Sequence, residues 1–170
     1  MIILEKTINY FLKNEVKLKS VAYILNQAGI INTYDESLKA VKMDVPTIRP
    51  DLNCVLGALI EISALTDNAF SYSVFDSPKI CLEEWDIKSD RPIFIGRIKR
   101  NQIKENIPEI KEMLIHNKLY TGDKYKDLIH FCALFFGVPP MLVSEKRLGK
   151  KIIVKENTIY GYETLKWGDP

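Results

Sequence analysis

The densest run of apolar positions covers residues 50–65, PDLNCVLGALIEISAL. Val55, Leu56, Leu59, Ile60 and Ser63 recur at helical spacing, and Leu52, Ala58, Ile62, Ala64 and Leu65 fill most of the rest. Asp51, directly after Pro50, stands where a carboxylate can accept from the first free N–H groups of a helix. Glu61 is the one charge between Asp51 and Leu65. A helix apolar nearly all round is buried on more than one side, so this segment is expected to be the central core helix. It is too short and too interrupted to span a bilayer, which takes about 20 apolar residues.

The flanking patterns predict further elements. Leu4, Ile8, Phe11 and Leu12 can share a face of a helix over residues 3–13, and Val21, Ile24, Leu25 and Ala28 of one over 18–28, which Gly29 would stop. Thr33 and Glu36 have capping-box spacing and predict a short third helix through Met43, with Leu38 and Val41 as its apolar contacts. Residues 70–75, FSYSVF, alternate as a half-buried strand does, and residues 92–99, PIFIGRIK, read as a second strand with Gly96 as a bulge. Between them, Ile80, Leu82 and Trp85 are packing candidates.

Asn106, ahead of Pro108, opens a helix carried by Ile110, Met113, Leu114 and Asn117. Thr121-Gly122 breaks it, and residues 123–136 form its partner, with Tyr125, Leu128, Ile129, Cys132 and Phe135 or Phe136 inward and Gly137 as the stop. This is an αα-hairpin. Residues 152–155 and 158–163 flank Glu156-Asn157 as a β-hairpin. The expected architecture is α+β. A helical N-terminal half holds the buried central helix, followed by a small, mainly antiparallel sheet, the αα-hairpin and the C-terminal β-hairpin.

A chain of 170 residues, 46% hydrophobic and 27% charged, suits one globular domain with its own core. Cys54, Cys81 and Cys132 have no CxxC spacing, and Glu5 follows the apolar start without a signal-peptide layout. Reduced thiols in a cytoplasm are expected, with no membrane span and no cofactor. The net charge of +2 hides an asymmetry: residues 1–96 hold 10 basic and 13 acidic side chains, residues 97–155 hold 13 and 6, and the last 15 hold 1 and 3. The basic stretch suits an acidic partner or nucleic acid, and equally a solvated lysine-rich surface.

Two predicted helices meeting near a glycine, in the order Ala22, Gly29, Leu38, resemble a helix-turn-helix. Leu25 stands where helix crossing wants a small residue, and Asp35 and Glu36 beside Lys39 and Lys42 weaken phosphate attraction, so a plain helical hairpin is expected.

Cys54 lies in the opening turn of the central helix, where free N–H groups favour a thiolate. Residues 51–59, DLNCVLGAL, resemble the nucleophile segment of ovarian-tumour-type cysteine proteases, in which an acid, a glycine, a polar residue and the catalytic cysteine precede apolar residues and an alanine. Asp51, Asn53, Cys54, Ala58 and Leu59 match, Leu52 takes the glycine's place, and the resemblance covers nine residues. It implies a Cys54 nucleophile with a histidine base. That family's histidine lies near the C-terminus, and His130-Phe131 is the nearest match to its histidine-aromatic pair. Against this stands Cys54 as a small core residue.

Asp76, followed ten residues later by Asp86-Ile87-Lys88, resembles the minimal layout of restriction-type nucleases. The resemblance implies that Asp76 and Asp86 hold Mg²⁺ and Lys88 steadies the attacking water. A solvated acidic loop is the alternative.

The leading reading is non-enzymatic: a protein-binding or inhibitory protein, such as an immunity-type inhibitor of a toxin or a mobile-element accessory factor. Its partner is expected to be another protein with an acidic surface, ahead of nucleic acid. Arg97, Lys99, Arg100, Lys146, Arg147, Lys150 and Lys151 would supply charge, and Tyr160, Tyr162 and Trp167 the apolar contact. A cysteine-dependent hydrolase using Cys54 and His130 is the alternative, and a metal-dependent nuclease using Asp76, Asp86 and Lys88 the third.

Overall fold

The first apolar run splits into two elements. In the computed structural model, which describes residues 1–71, 86–90, 108–138, 140–148, 151–155, 158–160 and 164–166, Ile2–Leu4 is strand β1 and Glu5–Phe11 is helix α1. The pattern predicted one helix from about residue 3. Leu4 instead stays extended (φ −81°, ψ 148°), because β1 pairs with a later strand, Ala40–Met43 (β3). Helix α2, Leu18–Gln27, follows as predicted, and Gly29 turns the chain at φ +80°.

The predicted third helix is not formed. Asn32–Asp35 is strand β2, antiparallel to β3. The Asp35 carboxylate accepts from the Ser37 hydroxyl at 2.7 Å and the Leu38 N–H at 3.1 Å, which closes a turn at the residues that would have been helix. Lys39 completes it at φ +45°. β3 lies between β1 and β2 in the sheet order β1-β3-β2, so both its edges are bonded. The helix-turn-helix reading goes with this helix, since its recognition element is a hairpin.

A 3-10 turn, Pro50–Asn53, leads into the central helix α3, Val55–Leu65. The helix buries Val55, Ala58, Leu59 and Ile62 in the main core, with Ile8, Phe11, Leu25, Val41 and Phe135 among their company. Its outer side is open: Ile60 is 56% exposed. The αα-hairpin forms as predicted from α4, Pro108–His116, and α5, Lys124–Phe136. Asp123 caps α5 by accepting from the N–H groups of Tyr125 and Lys126 at 2.9 and 3.0 Å, and Gly137 ends it at φ +73°. On α5 Phe135 is buried, whereas Tyr125 lies at the surface.

The chain divides into two compact units, Met1–Asp76 with Lys104–Pro140, and Ser77–Ile103 with Met141–Pro170. The first holds α1 to α5 and β1 to β3. The second has β4 (Asp86–Ser89), a short helix α6 (Glu145–Leu148), β5 (Lys151–Lys155), β6 (Thr158–Tyr160) and β7 (Thr164–Lys166). Its sheet runs β4-β5-β6-β7, with β4 parallel to β5 and the other two pairs antiparallel. The predicted C-terminal hairpin is the pair β5·β6. The predicted strand over 92–99 lies outside the described residues. So does that over 70–75 beyond Phe70 and Ser71, of which Phe70 forms an isolated bridge to Leu12. The fold is α+β, and no described helix is long and apolar enough to cross a membrane.

Candidate functional site

The sequence of β5, KIIVK, sets a lysine at each end of three apolar residues, and it is the burial that alternates. Ile152 and Val154 are buried, Lys151 and Lys155 are exposed, and Ile153 between the lysines is half-buried. Paired residues side by side in a ladder belong to the same face of a sheet. The parallel register sets Asp86 beside Lys151 and Lys88 beside Ile153. The antiparallel register sets Tyr160 beside Ile153 and Thr158 beside Lys155, and then Lys166 beside Thr158. One face of the second sheet therefore carries the positions of Lys88, Lys151, Ile153, Lys155, Tyr160 and Lys166, with Asp86 at its corner. The other face carries Ile152 and Val154 and the positions of Ile87, Ile159 and Leu165.

Lys88, Lys151 and Lys155 are exposed, and none is ion-paired to a described residue. Strand geometry puts Lys151 and Lys155 about 13 Å apart, and Lys88 about 4.8 Å from the line between them. The charge of the unit agrees. The second unit carries 12 basic and 8 acidic residues, against 12 and 14 in the first.

Lys146 and Arg147 are exposed on α6, directly before β5. Arg97, Lys99, Arg100, Lys150, Tyr162, Trp167 and Asp76 lie outside the described residues. The interface expected from sequence omits Lys155 and Ile153, because a run of three apolar residues between lysines does not mark which of them reaches the surface. Lys88, which the sequence offers as a nuclease lysine, comes to this face only through pairing with a strand some 60 residues later.

Cys54 is the N-cap of α3, a place expected for Asp51. Its Sγ accepts from the Gly57 N–H at 3.4 Å and lies 3.7 Å from the Asp51 carbonyl oxygen, to which the thiol can donate. The Asp51 carboxylate is drawn the other way: Arg49 binds it and Glu61, each at 2.8 Å. The guanidinium hydrogen bonds hold the Asp51 carboxyl below the usual carboxylate range. Cys54 also packs against Gly137, where an added Cβ would lie 3.2 Å from Cys54 Cβ.

His130 is seven residues before Gly137, about 10 Å along the α5 axis. Its Nδ1 is 2.6 Å from the Leu119 carbonyl oxygen. A carbonyl only accepts, so Nδ1 carries a proton in this arrangement. No hydrogen bond joins His130 to Cys54. Cys132, on the same helix, is half-buried, and burial pushes its thiol up.

His116, with Glu5, Tyr10, Lys39 and Glu109, lines an open groove of about 610 Å³ in the first unit, where Lys6 and Glu112 form an ion pair. Among the described residues, no three His, Cys, Asp or Glu side chains group closely enough to hold a metal ion. No protein-family model, curated protein or solved structure matches the chain.

Proposed function

We infer that this is a non-enzymatic binding protein, of an inhibitory or accessory kind, and that the lysine face of its second sheet recognises an acidic surface on another protein. The observation that carries this reading is the set of exposed lysines, Lys88, Lys151 and Lys155, without ion-pair partners among the described residues and grouped around the half-buried Ile153. Cations at a rim with an apolar centre follow the usual anatomy of a protein interface. Asp86, on the same face beside Lys151, favours a protein over a phosphate backbone. A run of phosphates would meet that carboxylate with repulsion, whereas a mixed protein surface can match it.

The test is capture by the full chain from extract of its native cells, comparing wild type with the Lys151→Glu, Lys155→Glu double variant. A retained protein should associate about tenfold more slowly with the variant, because exposed charges act chiefly on encounter rate. Retention should also weaken as salt rises to about 0.15 M, where screening cuts in beyond ~8 Å. Equal capture by both chains would overturn the reading. So would retained material that nuclease digestion removes.

A further inference from the structure

We propose, building on the lysine face as a protein-binding surface, that its occupant is an acidic amphipathic helix presenting an apolar side chain with a carboxylate about one turn to each side. Ile153 sits at the middle of β5, with Lys151 and Lys155 two residues away in each direction on the same face and Lys88 beside it. The two outer lysine positions are about 13 Å apart. On a helix, the residues four before and four after a central position return to nearly the same face and stand about 12 Å apart along the axis. A glutamate at each of these places would therefore lie over a lysine when the central apolar side chain lies over Ile153.

An extended segment matches the same spacing but not the same surface. Laid on side chains, it would leave its N–H and C=O groups without partners, and such segments dock at sheet edges instead. A helix bonds its backbone internally and buries a stripe of side chains on a sheet face. Asp86 beside Lys151 weakens the positive field at that corner. The carboxylate over Lys155 thus contributes more than the one over Lys151.

Two synthetic alanine-based helical peptides of identical composition test this. In one, glutamates stand four residues before and four after a central leucine. In the other, they stand two before and two after, on the side of the helix away from the leucine. Binding to the full chain is read by fluorescence anisotropy at about 0.05 M salt, where screening lengths exceed ~10 Å. The first peptide should bind about threefold to tenfold more tightly, the yield of a few exposed ion pairs. That advantage should vanish in the Lys151→Gln, Lys155→Gln variant. The comparison on the wild-type chain does not depend on any variant folding.

Equal binding of the two peptides, or none, overturns the helical occupant. So does tighter binding of an oligothymidylate. The outcomes separate cleanly from those of the capture experiment. If charge reversal leaves protein capture unchanged, the protein-binding reading fails. If capture depends on the lysines but the peptides bind alike, only the helical occupant falls.

Discussion

Asparagine amides stand in for peptide groups at several places in the first unit. Asn117 accepts from the Ile2 N–H and donates to the Ile2 carbonyl, both at 2.9 Å, and so covers the outer edge of β1 as a strand would. Asn68, buried, does the same for Asn14 at 3.1 and 2.6 Å. Asn32 donates to the carbonyls of Ala22 and Ile30, which ties the middle of α2 to the sheet. At the start of α3 the economy is different. Cys54 occupies a cap position where serine is commoner, and Gly57 leaves room for the Asp51 carbonyl. A Cβ at position 57 would lie 1.8 Å from that oxygen. Gly57→Ala should therefore destabilise the chain by at least about 1–3 kcal/mol, the range of overpacked sites. Cys54→Ser, which keeps a side-chain acceptor, should lose less than Cys54→Ala, for which about 0.5–2 kcal/mol is the usual cost of a lost cap. Denaturant melts of the three variants check the order. A Gly57→Ala chain as stable as wild type would show that this turn is not the tight knot described.

At the scale of elements, α3 separates its buried side from its open side. Leu59 is fully buried and Ile60 is 56% exposed. Leu59→Ala should cost about 2–5 kcal/mol, and Ile60→Ala within about half a unit, in the same urea titration. Similar losses at both would restore the helix buried all round that the apolar pattern suggested. The cap of α5 gives a pH dependence. Hydrogen bonds from the Lys126 and Tyr125 N–H groups hold the Asp123 carboxyl below the usual carboxylate range. Its stabilising effect is thus present above the unfolded carboxyl's pKa and lost as pH falls through the lower folded value. Asp123→Ala should be less stable than wild type at pH 7, and the difference should close in acid. A gap that persists unchanged at pH 2 would point to a contribution other than the charged cap.

The αα-hairpin and α2 were legible because their signals are local: an aspartate cap, a glycine stop and a helical apolar period. β2 and β3 were not. Thr33 and Glu36 have the spacing of a capping box, and what overrides it is the pairing of β3 with β1, about 40 residues earlier. The candidate site divides in the same way. Lys151 and Lys155 stand out as the polar ends of the apolar run of β5, and Tyr160 follows from the hairpin, but Lys88 joins them only through a parallel pairing that no local pattern encodes.

For the molecule as a whole, the two units differ in charge balance, with 12 basic and 14 acidic residues in the first against 12 and 8 in the second. Their chain paths are interleaved: the second unit takes Ser77–Ile103, gives the chain back, and resumes at Met141. That path has a consequence for synthesis. A ribosome adds about 5–20 residues per second, so the nascent chain carries β4 for roughly 3–13 s before β5 exists to pair with it. The edge of β1 likewise waits for Asn117, 115 positions downstream. Both units are thus completed late and in close succession, and a chain stalled between residues 103 and 141 would hold each of them unfinished, a target for whatever guards the exit tunnel.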